Sequence, residues 1–289
     1  MTAPTESAGG ASGAPHRPPL RSEELADALI RPGGLWRSVD VLAEVGSTNS
    51  ELLDRARRGE PGGAVLAADH QTAGRGRLAR GFATPARAAL TASVLVRPET
   101  PPTRLGWLPL LMGVCAVRAL RRCADVAAVL KWPNDVLVAG SEHKLAGILS
   151  EAAFPAPGAS GGGTGVVIGI GLNVSQRRDE LPVETATSLA LCGAGTDRAE
   201  LAVALLEEFA DAYTAWAAAG GDAGRSGLAG EYGSSCGTLG RRVRVHLPGG
   251  GELLGEAAGI DDAGRLTVRD AAGAETAHSA GDIVHLRPE

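Results

Sequence analysis

Apolar positions along the chain follow two periods, and stretches of the two alternate. Short apolar or alternating runs at 37–45, 65–68, 90–96, 126–130, 136–138, 145–149 and 166–174 predict strands. Helical spacing lies between them. Ser22-Glu23-Glu24-Leu25 opens a short helix that ends before Pro32, and Leu52, Leu53 and Ala56 share a helix face after residue 47. Ser47, Thr48 or Asn49 is a natural N-cap for that second helix. A long amphipathic helix fits 105–123, and Asp197-x-x-Glu200 forms a capping box ahead of another at 201–217. Glycines at 220, 221, 224, 227 and 230 then break the helical pattern. The strand beginning at Leu90 is a candidate free edge for pairing two subunits.

From about Cys236 the pattern changes. Short strands at 241–247, 253–260, 266–269, 275–278 and 283–286 are separated by turns such as Pro248-Gly249-Gly250-Gly251 and Asp261-Asp262-Ala263-Gly264. Five strands joined this tightly predict a small β-barrel. The chain divides into a tail at 1–20, a larger domain at 21–235 and the barrel at 236–289. The tail is rich in Ala, Gly, Ser and Pro, a composition that cannot bury a core and is expected to be disordered.

Composition narrows the function. At 289 residues the chain can hold a large and a small domain. Aromatic residues are only 3%, so the core is built from small and branched aliphatic side chains. A net charge of −5 argues against broad nucleic-acid binding, which needs a basic surface. The apolar run at 105–117 is too short to span a bilayer and contains Pro109. The first residues show no export signal, and the four cysteines form no C-x-x-C pair, so the expected location is cytoplasmic with reduced thiols. The six histidines show no zinc-ligand spacing.

Three stretches carry candidate chemistry. The stretch 131–151 puts Lys131, Trp132, Asn134 and Asp135 around Pro133, turns at Ala139-Gly140-Ser141 and returns through Lys144. A hairpin brings these polar ends together, and Pro133 stiffens the cluster. The stretch 70–82 interleaves Gly74, Gly76 and Gly81 with Arg75, Arg77 and Arg80. Glycine lets backbone approach a ligand, and arginine forks suit phosphate and carboxylate oxygens, so this is a candidate polyanion clamp. It is not a Walker loop. With few internal partners, it is expected to be disordered when empty. The run at 166–174 holds Gly169 and Gly171, which fit close approach of a ligand or a neighbouring strand better than a dinucleotide fingerprint. Asn173 at its end is either a ligand contact or a turn residue.

Gly-Ser-Thr-Asn at 46–49, Gln-x-x-Gly-Arg-Gly-Arg at 71–77, Lys-Trp-Pro-Asn-Asp at 131–135, Lys-Leu-Ala-Gly-Ile-Leu at 144–149 and Gly-Ile-Gly-Leu-Asn at 169–173 occur in the order found in biotin protein ligases. From about residue 38 onward the chain resembles that family, in its short type without an N-terminal DNA-binding domain. The resemblance implies an α/β (α+β) fold: a mixed-sheet catalytic domain related to lipoate ligases, followed by an SH3-like β-barrel. It implies ATP-dependent activation of biotin to biotinyl-5′-AMP and transfer to a lysine of a biotin carboxyl carrier protein domain of an acyl-CoA carboxylase. No nucleic acid or membrane partner is expected, and Mg²⁺ is expected with ATP.

Residue by residue, the resemblance implies biotin contacts from Ser47, Thr48, Asn49, Gln71, Arg75, Gly76, Arg77 and Lys144. It implies adenylate contacts from Arg75, Arg77, Arg80, Phe82, Lys131, Asn134 and Asn173. Lys144 and Arg77 would be catalytic, with Lys144 between the two reacting anions. Asp135, the only carboxylate in the core motif, is either a base for the incoming amine or a loop pin. Relatives commonly carry Trp where this chain has Phe82, a smaller ring for adenine to stack on. A lipoate ligase and a biotinyl-adenylate-sensing repressor are the alternatives; Lys-Trp-Pro-Asn-Asp argues against the first, and the short, weakly basic N-terminal segment against the second.

Overall fold

The computed structural model describes residues 16–77, 80–154, 163–195, 197–246 and 250–279, and the backbone of 282–285. Seven strands form the larger sheet: β1 (Ser38–Leu42), β2 (Ala64–Ala68), β3 (Ala89–Val96), β4 (Ala128–Lys131), β5 (Asp135–Val138), β6 (Lys144–Ala153) and β7 (Gly165–Asn173). Their order is β1-β2-β3-β7-β6-β5-β4. β1 and β2 are parallel and every other neighbouring pair is antiparallel, so the sheet is mixed. β3 is fully buried between β2 and β7, so the expected free edge at Leu90 does not exist. Its continuous apolar run reads the same for an edge strand as for a central one.

The period of two decides what each sheet face does. On β7, Val166, Ile168, Ile170 and Leu172 enter the main core, while Val167, Gly169, Gly171 and Asn173 face the other way. On β3, Leu90, Ala92, Val94 and Val96 enter that core, and Thr91, Ser93 and Leu95 alternate with them. The core face is covered by α1 (Ser22–Leu29), α3 (Trp107–Ala124) and α4 (Arg198–Ala218). By length and composition 102–124 could cross a membrane, but 67% of its most apolar 18-residue window is buried, and α3 packs in the core. Among the described residues the helix on the opposite face is α2 (Thr48–Arg57), whose Leu52, Leu53 and Ala56 pack on Leu66, Leu95 and Val167. Full burial of Leu52 contributes about 1.5–3 kcal/mol. The remainder of that face is open, and the site lies there.

A second antiparallel sheet, in the order β11-β10-β9-β8-β12, follows α5 (Leu228–Ser235). It comprises β8 (Arg242–His246), β9 (Glu252–Ile260), β10 (Leu266–Arg269), β11 (Glu275–His278) and β12 (Asp282–His285), each within a residue or two of expectation. Val243, Val245, Ala257, Leu266 and Val268 belong to the same core cluster as the large sheet. Two indoles fasten the junction: Trp107 Nε1 donates to Asp262 O at 3.1 Å and Trp132 Nε1 to Gly264 O at 3.2 Å. Gly106 is required here, since a Cβ would stand 2.2 Å from Ala263 O.

Two further expectations are corrected by the fold. The glycine-rich stretch after α4 contains α5, which Gly227 admits by taking φ +81° ahead of Leu228. The expected tail ran to residue 20; residues 1–15 lie outside the described residues, but 16–20 are not tail-like. Leu20 is buried, its N–H donates to Asp69 Oδ1 at 3.2 Å, and Arg198 donates to Pro18 O at 2.6 Å. Composition misses this because one apolar residue and one arginine suffice to dock a short strap.

Candidate active site

The open sheet face holds a cavity of about 770 Å³, within the usual size range of small-ligand pockets. Its floor is β7 and β6, and its rim is the start of α2, the loop after β2, the β4–β5 turn and a wall at 180–186. The floor is stripped of side chains. A Cβ on Gly169 would stand 2.0 Å from Asn49 Oδ1, and one on Gly171 would stand 2.6 Å from Phe82 Cζ. A Cβ on Gly147 would come within 3.1 Å of Lys144 Nζ. The glycines therefore make room for three of the candidate residues.

At one end Ser47 caps α2, and Thr48 and Asn49 follow inside its first turn, all three buried. Gln71 Oε1 accepts from Thr48 N at 2.8 Å and Thr48 Oγ1 at 3.1 Å. Ser93 Oγ donates to Asn49 Oδ1 at 2.7 Å and lies 2.8 Å from Thr48 Oγ1. Asn49 Nδ2 donates to Leu149 O and Glu151 Oε2, both at 3.2 Å. Hydroxyls and amides oriented in this way suit a neutral polar ring.

In the described residues the Gly/Arg loop pairs its two arms through an antiparallel bridge between Arg75 and Gly81; Leu78 and Ala79 lie outside them. Gly76 N donates to Arg80 O at 2.7 Å and Phe82 N to Gly74 O at 2.8 Å. Arg75 donates to Glu151 Oε1 at 2.9 Å and Ser50 Oγ at 3.2 Å, so this arginine has protein partners that loop composition did not reveal. Phe82 is half-buried on the floor at Gly171. Gly76, Arg77 and Arg80 also line the cavity, and Arg77 further lines a neighbouring cavity of about 320 Å³ against the second sheet.

At the other end Lys144 Nζ lies 2.6 Å from Asp135 Oδ1, both partly exposed. Lys131 pairs with Glu142 at 3.4 Å. The peptide between Trp132 and Pro133 is cis. Asn134 Nδ2 donates to Ile148 O at 3.0 Å, and Trp132 is fully buried, a packing residue. The Asn173 amide is occupied at both ends: Nδ2 donates to Thr187 O at 2.8 Å and Oδ1 accepts from Gln176 Nε2 at 2.9 Å. Its observed contacts are those of a turn organiser at the cavity edge.

Sequence reasoning missed Glu151, Ser93 and the 180–186 wall. A hydroxyl pair at alternate positions of an otherwise apolar strand, Thr91 and Ser93, is the signal that could have found the second. The wall is held at Glu180, whose carboxyl the Arg17 guanidinium keeps below the usual glutamate range despite partial burial. Among the described residues no group of three or more His, Cys, Asp or Glu converges as a metal cage.

A bare sheet floor between a neutral polar end and a cationic end defines a pocket for a small organic acid beside a second anion. The comparisons agree with that class. Residues 42–173 match the Biotin/lipoate A/B protein ligase family, and 238–286 the Biotin protein ligase C terminal domain. The biotin--[acetyl-CoA-carboxylase] ligase of Mycobacterium tuberculosis is 44% identical, over 94% of this chain and 97% of that protein. The bifunctional ligase/repressor BirA of Bacillus spizizenii is 33% identical over 90% of this chain and 75% of its own length. A biotin protein ligase from Aquifex aeolicus, solved in complex with biotin and ATP, superposes with a TM-score of 0.69 at 28% identity, over 86% of this chain and 98% of that one. The chain belongs to the biotin protein ligase family.

Proposed function

We propose that this chain activates biotin with ATP to biotinyl-5′-AMP and transfers the biotinyl group to one lysine of a biotin carboxyl carrier protein domain of an acyl-CoA carboxylase. The observation that carries the reading is the Lys144 ammonium, held over Gly147 at the cationic end of a cavity whose other end is neutral and polar. Biotin has that polarity: a neutral ureido ring and a carboxylate tail. Ser47, Thr48, Asn49 and Gln71 would take the ring, and Lys144 the carboxylate.

In the first step a carboxylate oxygen of biotin attacks the α-phosphorus of ATP. A new P–O bond forms, the bond from the α-phosphorus to the α,β-bridging oxygen breaks, and pyrophosphate leaves with that oxygen. Both reactants are anions, so their repulsion must be offset. A unit charge 4 Å from an anion is worth roughly 4 kcal/mol at an effective dielectric near 20. Lys144 supplies one such charge, and Arg75, Gly76, Arg77 and Arg80 reach the same space from the hairpin. Asp135 holds the ammonium in place before substrates arrive. Lys131, Asn134 and Phe82 line the same cavity, and a Phe82 ring turned off the Gly171 floor would stack on adenine. Mg²⁺ would enter with ATP, held by phosphate oxygens and water in the manner usual for this ion. It screens the triphosphate charge.

In the second step a carrier lysine attacks the acyl carbon, the anhydride C–O bond breaks and AMP leaves. The incoming ammonium must first lose a proton, and its ordinary pKa is about 10.4. Asp135, paired with Lys144, would accept that proton or else only pin the loop. All four cysteines are free thiols, as suits action in the cytoplasm. The test is to mix the protein with biotin and Mg·ATP without carrier. Biotinyl-AMP and pyrophosphate are expected in equal amounts, followed by biotinylated carrier on its addition. Activation of lipoate in preference to biotin would overturn the reading.

A further inference from the structure

We infer that Arg17 is a positioning residue for Lys144, acting through Glu180 and the cavity wall; this rests on the proposed role of Lys144. Arg17 lies in the segment whose composition reads as tail, yet its guanidinium is fully engaged. Nε donates to Ser175 Oγ at 3.0 Å and NH2 to Ser175 O at 2.8 Å. NH2 and NH1 reach the two oxygens of Glu180 at 2.6 and 3.3 Å, a two-pronged ion pair. Both side chains are largely covered, at 12% and 14% exposure.

The strap is fixed on its far side. Arg198 donates to Pro18 O, and the buried Asp69 takes both Arg198, at 2.8 Å, and the Leu20 N–H. Arg17 is thus anchored to α4 and the end of β2, and it grips the start of the wall. Beyond Glu180 the wall runs alongside the catalytic lysine. Lys144 N donates to Thr185 O at 2.7 Å, and Thr187 N donates to Lys144 O at 2.9 Å. Both the N–H and the C=O of Lys144 are therefore held by a segment that Arg17 holds at its other end. β5 also pairs with Lys144, but the register shifts between Val136 and Leu137, so the sheet alone holds this residue irregularly. An ammonium that must stand between two anions is sensitive to such displacement.

The experiment is a mutant cycle in the full chain, read as single-turnover biotinyl-AMP formation well below the melting temperature. R17M keeps the aliphatic stem and removes the fork. It is expected to lower the maximal rate by about tenfold, since misplacing a reacting group by a fraction of an ångström carries a penalty of this order. KM for ATP should move less than the rate. In a K144A background R17M should change nothing further, because the residue it positions is gone. E180Q, which breaks the same pair from the wall side, should repeat the R17M result, and R17K should restore part of the rate. An R17M rate equal to wild type, or an equal loss in both backgrounds, would overturn the inference. If K144A itself forms biotinyl-AMP at the wild-type rate, the reading of Lys144 fails, and this inference with it.

Discussion

At the scale of single residues, the site is built as much by missing side chains as by present ones. Asn49 can reach across to Ser93 and Glu151 because Gly169 opposite it has no Cβ. An alanine there would push Asn49 out of its hydrogen bonds and leave its buried amide oxygen without the Ser93 donor. An unpaired buried polar group costs about 1–3 kcal/mol. G169A is therefore expected to weaken biotin binding by about ten- to a hundredfold, with ATP binding little altered. Isothermal titration with each ligand separately checks this, and equal losses for both would contradict it. The motif residues were legible in sequence because their chemistry is rare: Lys144, Asp135 and the hairpin arginines all line one cavity. Glu151 and Glu180 were not legible, because a lone glutamate in a strand or turn reads as a solvated surface residue. Only the fold reveals that Arg75 and Arg17 meet them.

Elements explain how those residues are held. The Gly/Arg hairpin hangs between the end of β2 and the start of β3, and one carboxylate ties both stems. Asp69 O accepts from Arg87 N at 2.7 Å, and Asp69 Oδ2 lies 3.1 Å from Arg87 Nε. The other oxygen takes Arg198 and Leu20. Removing one partner of a buried ion pair leaves an uncompensated charge and costs about 3–5 kcal/mol. D69A is expected to lose that much in urea unfolding. R57A, which breaks an exposed pair with Asp54, should stay within about 1 kcal/mol of wild type. Comparable losses in the two variants would refute the assigned hierarchy. Strand and helix positions were largely readable, because periods of 2 and 3.6 survive in β7 and α2. Sheet order was not. Nothing local to 90–96 distinguishes a central strand from an edge, and α5 was hidden because it carries Gly230 and Gly233 inside it as well as Gly227 at its start.

At the scale of the molecule, the two sheets share one core rather than merely adjoining. Trp107 and Trp132 are buried at the junction, and each indole N–H has its acceptor in the 261–265 turn. The chain should therefore unfold in a single calorimetric transition, and W132F should lower the midpoint without splitting it; two resolved transitions would contradict the shared core. That junction also lines the smaller cavity next to Lys144's, so the second sheet stands beside the chemistry. The alternating pattern predicts five strands and their turns but holds no hint of where they dock, because docking depends on Gly106 and Gly264 meeting across 158 residues of chain. The central claim is electrostatic: a fixed ammonium lets two anions react. Its most direct test is the single-turnover rate of biotinyl-AMP formation by K144Q, a neutral side chain of similar length, at saturating biotin and Mg·ATP. The account predicts a fall of about a thousandfold, the rate equivalent of a lost contact worth roughly 4 kcal/mol. A rate within twofold of wild type would contradict it.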